Sequence, residues 1–164
     1  MHRRLQTLIA AAALVLVATP AFCAKSSPLA DGKKFYGRKC GTCHTLERSL
    51  VVKSDRAGWE STIKRMTQKG AKLKKPEVAA ILGYLSARSA FETKCNTCHE
   101  LQRPLAAIKD PKQWQDTVKR MAAMKPGQIT DADAGAIALY LSLVTPVKPA
   151  AAAKPATPAP PPHK

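Results

Sequence analysis

Cys40-Gly41-Thr42-Cys43-His44 occurs a second time as Cys95-Asn96-Thr97-Cys98-His99. C-x-x-C-H is the attachment pattern for a c-type haem. Its two thiols add to the porphyrin vinyl groups, and the adjacent imidazole reaches the iron as the proximal axial ligand. The spacing is chemical: both sulfurs must face one porphyrin edge while the imidazole turns beneath the plane. The sequence therefore predicts two covalent haems, on Cys40 and Cys43 and on Cys95 and Cys98, with His44 and His99 on the irons. Two disulfides or a zinc site are the competing uses of four cysteines. The histidine directly after each pair argues for haem.

The repeat extends beyond the two motifs. An offset of 55 relates Leu46 to Leu101, Arg48 to Arg103, Trp59 to Trp114, and Lys64-Arg65-Met66 to Lys119-Arg120-Met121. One inserted residue then shifts the offset to 56, which pairs Ile81 and Tyr84-Leu85-Ser86 with Ile137 and Tyr140-Leu141-Ser142. This pattern predicts a tandem duplication with one haem per half, at residues 25–88 and 89–145.

Helix signals recur in each half. Ser27-Pro28 reads as a cap and first turn leading into Cys40. A second helix begins near Ser54-Asp55 and ends at Gly70. Its counterpart begins at Asp110-Pro111 and stops before Pro126-Gly127. A third starts at Pro76-Glu77, with Val78, Ile81, Leu82 and Leu85 on one stripe. Its counterpart starts at Thr130, with Asp133 completing a capping box. No segment alternates like a strand, so the fold class is all-α: a doubled three-helix unit. Between Pro76 and Cys98 there is no further proline, which predicts a helix running from one half into the next. A break near Ser86–Ser89 is the alternative.

A half of this size is marginal for burying its own core. A covalent haem supplies large apolar faces for three helices, so folding without haem is not expected.

Residues 1–24 read as a secretory signal, with Arg3 and Arg4 before an apolar run from Leu8 to Val17 and a small-residue cleavage region at Ala21-Phe22-Cys23. The run is too short to cross a bilayer as a retained helix. Phe22 sits where a lipid-anchor signal at Cys23 would need a small residue. The expected location is the periplasm. Residues 146–164 shift to Pro, Ala and Lys and read as an extended, disordered tail. The formal charge of +16 over 164 residues falls to +14 without Arg3 and Arg4. A basic exported protein points to an acidic redox protein, a dehydrogenase or oxidase subunit, or contact with an anionic surface. The expected location disfavours nucleic acid as a partner.

The distal side of each iron decides what a haem protein does. His2 lies in the signal and His163 in the tail, which leaves no ordered histidine for a second axial bond. Trp59, Ile63 and Met66 fall on one helical face, as do Trp114, Val118 and Met121. Met66 and Met121 are the candidate distal ligands, and Met124 is the alternative for the second haem because Met124-Lys125-Pro126-Gly127 resembles a methionine ligand loop. Plain core packing is the other use of such methionines. Soft thioether sulfur favours ferrous iron, and two strong axial ligands leave no vacancy for substrate.

Gly32-x-x-x-Tyr36-x-x-x-Cys40 resembles the first helix of the class I cytochrome c superfamily, and Ala87 and Phe91 hold the same places before Cys95. Ile81-x-x-Tyr84-Leu85 and Ile137-x-x-Tyr140-Leu141 resemble its last helix. The likeness covers about residues 28–145 and implies that first and last helices cross through these small and aromatic positions. The order C-x-x-C-H, Trp-x-x-x-x-x-Arg-Met, Tyr-Leu is similar to the dihaem domain of quinohaemoprotein amine dehydrogenase α subunits. The large domains of that enzyme are missing, so no dehydrogenase activity carries over. Met66 follows Cys40 by 26 residues, closer than in longer class I chains. Together these readings imply a non-enzymatic electron carrier, free or as a cytochrome subunit, with lysines such as Lys33, Lys34 and Lys39 beside Arg38 steering an acidic partner. The rival readings are a haem enzyme or gas sensor with one five-coordinate haem, and a wall-associated adaptor using the tail.

Overall fold

Seven helices, and not a single strand, make up the described part of the chain, residues 27–147 of a computed structural model. Residues 1–26, which include the predicted signal and Cys23, and residues 148–164, which hold most of the predicted tail, lie outside it.

Each predicted helix start is closed by the residues that signalled it. Ser27 Oγ accepts the Ala30 amide at 3.2 Å and opens α1 (Pro28–Phe35). The short α2 (Glu47–Leu50) follows, and Asp55 accepts the Gly58 amide at 2.8 Å to begin α3 (Arg56–Gln68). Beyond α3 the chain turns at Gly70, whose φ of 103° lies in the left-handed region. The Glu77 carboxylate accepts the Lys74 amide at 2.8 Å at the head of α4 (Lys75–Lys94). A single 3₁₀ turn (Cys95–Thr97) and α5 (Gln102–Leu105) lead to α6 (Pro111–Met124). There Asp110 and Gln113 cap each other at 2.8 and 3.0 Å. Thr130 and Asp133 do the same for α7 (Asp131–Val144). Sequence reading did not anticipate α2 and α5.

The unbroken reading of the middle helix holds. α4 runs for 20 residues through Ser86–Ser89 without a break, about 30 Å of rod, and the division drawn at 88/89 falls inside it. α4 packs against α1, α3 and α7, and α7 packs against α6.

The α1–α4 crossing passes through Gly32. A methyl placed there would lie 2.9 Å from the Tyr84 Cβ and 2.8 Å from the Ala80 carbonyl carbon, and would overlap the Ala80 oxygen. At the other end of α4, Ala87 is 1% exposed and Phe91 stacks at 5.6 Å on Tyr140 of α7. α4 is thus the crossing partner of α1 near its start and of α7 near its end.

One core results. Ile81 and Ile137, 56 positions apart, are both fully buried. Tyr36, Tyr84 and Tyr140 form a line of tilted rings with centroids 5.7 and 5.9 Å apart. The two tryptophans are pinned alike: Trp59 Nε1 donates to Ser89 Oγ at 2.8 Å, and Trp114 Nε1 to Thr145 Oγ1 at 3.0 Å. A buried N–H without such a partner would cost about 1–3 kcal/mol.

Burial holds the Tyr36 and Tyr84 phenols above their ordinary 10.0 and, with Tyr84 adding to it, pushes Tyr140 up to about 12. The folded state therefore binds these protons more tightly than the unfolded chain. Their contribution is complete below about pH 10 and is lost as pH rises through about 12. The urea midpoint of the wild type should accordingly fall relative to that of Tyr140→Phe between about pH 10 and 12. A constant gap across that window would refute the assignment.

Candidate functional site

Both C-x-x-C-H segments follow a helix end that carries their first cysteine into the core. After α1 the backbone widens into one π-helical turn, Tyr36–Cys40, a local insertion common at functional positions. Its Tyr36 hydroxyl meets Ser49 Oγ at 2.5 Å and donates to the Leu46 carbonyl at 3.3 Å. Arg88 Nη2 donates to the Leu50 carbonyl at 2.6 Å. The loop after His44 is thereby tied to α1 and α4.

Local geometry repeats between the two segments. Thr42 and Thr97 each donate a hydroxyl to the carbonyl of the residue before the first cysteine, Lys39 at 2.9 Å and Lys94 at 2.8 Å. Those hydroxyls sit 3.7 and 3.6 Å from Cys43 and Cys98 Sγ. His44 Nδ1 lies 3.0 Å from the Thr45 carbonyl, and His99 Nδ1 lies 3.2 Å from the Glu100 carbonyl. A carbonyl oxygen only accepts, so each Nδ1 carries a proton, and Nε2 is the nitrogen left for a ligand. Such a second hydrogen bond is how a ligating histidine is usually oriented.

Among the described residues, Cys40, Cys43, Cys95 and Cys98 form no disulfide. Cys40 and Cys95 are half-buried, and Cys43 and Cys98 are exposed. Burial pushes the Cys40 thiol up, and burial together with Cys98 brings Cys95 to about 11.

The first segment opens onto a cavity of about 420 Å³. Cys40, Cys43 and His44 line it together with Met66 of α3. Trp59, Ile63, Leu73, Ile81 and Leu85 give it apolar walls. Lys39, Arg48, Arg65 and Lys69 are its charged lining, and no carboxylate joins them. The predicted thiols, imidazole and thioether of the first half are thus gathered around one space that can admit a flat apolar group with anionic substituents.

In the second half, Met121 is half-buried on the α6 face that also carries the buried Trp114 and Val118. Met124 is 69% exposed. A second, shallower cavity of about 250 Å³ is lined by Lys119, Ala122, Pro126, Ile129 and neighbours; Cys95, Cys98 and His99 do not border it. Among the described residues no three His, Cys, Asp or Glu side chains converge as a metal-ion group, and no helix is long and apolar enough to cross a membrane.

Sequence reading missed the partners of Lys39, Lys94, Thr42 and Thr97. All four recur at the 55-residue offset, and that recurrence was the available signal.

Comparison with known proteins returns nothing: no protein-family model, curated protein or solved structure matches the chain.

Proposed function

We propose that the chain is a duplicated dihaem c-type cytochrome that carries single electrons between exported redox partners. Cys40, Cys43, Cys95 and Cys98 would hold the two haems covalently, with His44 and His99 as proximal ligands. A haem so held supplies reversible one-electron chemistry at its iron. The observation that carries the reading is the first cavity, where two thiols, an Nδ1-protonated imidazole and the Met66 thioether share apolar walls. Arg48, Arg65 and Lys69 would meet the carboxylates of the group.

Met66 and Met121 are proposed as the distal ligands. Met121 is favoured over Met124 because it is half-buried on the face of Trp114 and Val118, whereas Met124 stands in solvent. With both irons six-coordinate, carriage of electrons is favoured over the reading as a five-coordinate enzyme or gas sensor.

The charge distribution bears on the partner. Residues 27–88 carry 14 basic and 5 acidic side chains, and residues 89–147 carry 7 and 6. The first half is therefore the side offered to an acidic redox partner, with an on-rate that falls as salt rises.

The optical spectrum of the purified exported protein tests the assignment. Two haems per chain are expected, with a weak red-edge band from sulfur on ferric iron. Met66→Ala and Met121→Ala should each remove about half of that band and open one ferrous haem to carbon monoxide. Rapid carbon monoxide binding by the wild type would favour the enzyme or sensor reading. A colourless protein would end the proposal.

A further inference from the structure

We propose that Lys39 and Lys94 are latches that hold in place the loop after each methionine-bearing helix, and that Lys39, whose loop lines the first cavity, controls access to that side of the first iron. The access role rests on the dihaem reading; the latch itself rests on geometry. Lys39 Nζ lies 3.4 Å from Glu77 Oε1 and donates to the Lys72 carbonyl at 3.3 Å. Lys94 Nζ lies 3.1 Å from Asp133 Oδ2 and donates to the Gln128 carbonyl at 2.8 Å.

The correspondence is complete. Lys39 and Lys94 are 55 apart, while Lys72 and Gln128, and Glu77 and Asp133, are each 56 apart. The contact is kept although Glu77 is one methylene longer than Asp133. A chance surface ion pair has no reason to reproduce both its carboxylate and its carbonyl partner in two places.

The carboxylates are already committed locally. Glu77 accepts the Lys74 amide at 2.8 Å, and Asp133 accepts the Thr130 amide at 3.1 Å. Hydrogen bonding to the Lys74 amide, together with Lys39, holds Glu77 below the usual carboxylate range. For Asp133, burial raises the pKa but is outweighed by Thr130 and Lys94, so its net shift is also downward. Each lysine thus joins the residue before a C-x-x-C-H to a helix cap and to the loop in front of it.

What the loop covers gives the latch its purpose. Lys69, Ala71 and Leu73 belong to the stretch between α3 and α4 and line the first cavity beside Met66. The Met66 carbonyl accepts the Ala71 amide at 3.0 Å, so movement of the loop pulls on the methionine's own backbone. Leu73 and its counterpart Ile129 both pack on the core. Partial exposure of the lysines weakens each ion pair taken alone. The carbonyl bond adds a second, charge-assisted tether.

Lys39→Met and Lys94→Met in the full chain test this, with amide hydrogen exchange as the first readout. Lys39→Met should speed exchange at Ala71 and Lys74 by about tenfold while Gln128 and Thr130 stay unchanged, and Lys94→Met should do the reverse. Lys39→Arg should restore the wild-type pattern. The second readout is carbon monoxide association with the ferrous protein, which should accelerate at one haem in Lys39→Met and return to normal in Lys39→Arg. Unchanged exchange in a folded variant, or a uniform rise at all four amides, overturns the latch. Raised exchange without faster carbon monoxide binding overturns the access role. If the wild type proves colourless, the dihaem reading fails separately, and the exchange pattern still decides the latch.

Discussion

A chain with Cys40, Cys43, Cys95 and Cys98 all replaced by alanine should emerge colourless and lose about half or more of its helical circular dichroism. The first cavity explains the size of the effect. Trp59, Ile63, Leu73, Ile81 and Leu85 line about 420 Å³ that the variant would leave without a bound group, and atoms facing such a space forfeit dispersion contacts. A domain of this kind has only about 5–15 kcal/mol of net stability to lose. Replacing only Cys40 and Cys43, or only Cys95 and Cys98, should leave one haem per chain and separate the two contributions. Wild-type helicity and cooperative unfolding in the fourfold variant would show that the helices need no covalent group. Retained colour would show that the group is held by something other than thioethers.

Gly32→Val should abolish folding, at a cost of about 3 kcal/mol or more. Even a methyl at this position overlaps the Ala80 carbonyl, which belongs to the backbone of α4 and cannot swing aside. The branched side chain forces α1 off α4, and the Tyr36–Tyr84 stack at 5.7 Å goes with it. Gly83→Ala is the opposite case: its Cβ would meet nothing within 4 Å in the middle of α4, so it should stabilise by about 0.5–1 kcal/mol. Chemical denaturation of the two variants measures both. A tolerated Gly32→Val would mean that the close crossing of α1 and α4 is not needed.

Most of the helix boundaries were legible because their signals are local. Ser27-Pro28, Asp55, Asp110-Pro111 and Thr130 with Asp133 each satisfy amides within three residues of themselves, so the sequence carries the whole interaction. The 55-residue recurrence likewise exposed Trp59 and Trp114 as core. The bonds of those tryptophans to Ser89 and Thr145 were not legible, because they join residues about 30 apart. The same holds for the lysine latches and for Arg88 reaching the Leu50 carbonyl. Helices α2 and α5 are each four residues long, too short for an apolar stripe to register. Whether the middle helix continues could not be settled by propensity, since Ser86 and Ser89 read equally well as a break. Packing settles it: Ala87 is 1% exposed, Ser89 receives the Trp59 indole and Phe91 reaches Tyr140.

Because α4 ends the first of the two sequence-related halves and begins the second, packing on α1 and α3 as well as on α7, the halves are not a pair of detachable modules. Any cut between the repeats severs a strut that both of them lean on, and any slide or rotation of that strut moves both C-x-x-C-H segments together. The spacing of the two C-x-x-C-H segments is consequently tied to the length of one helix, like the span of a bridge.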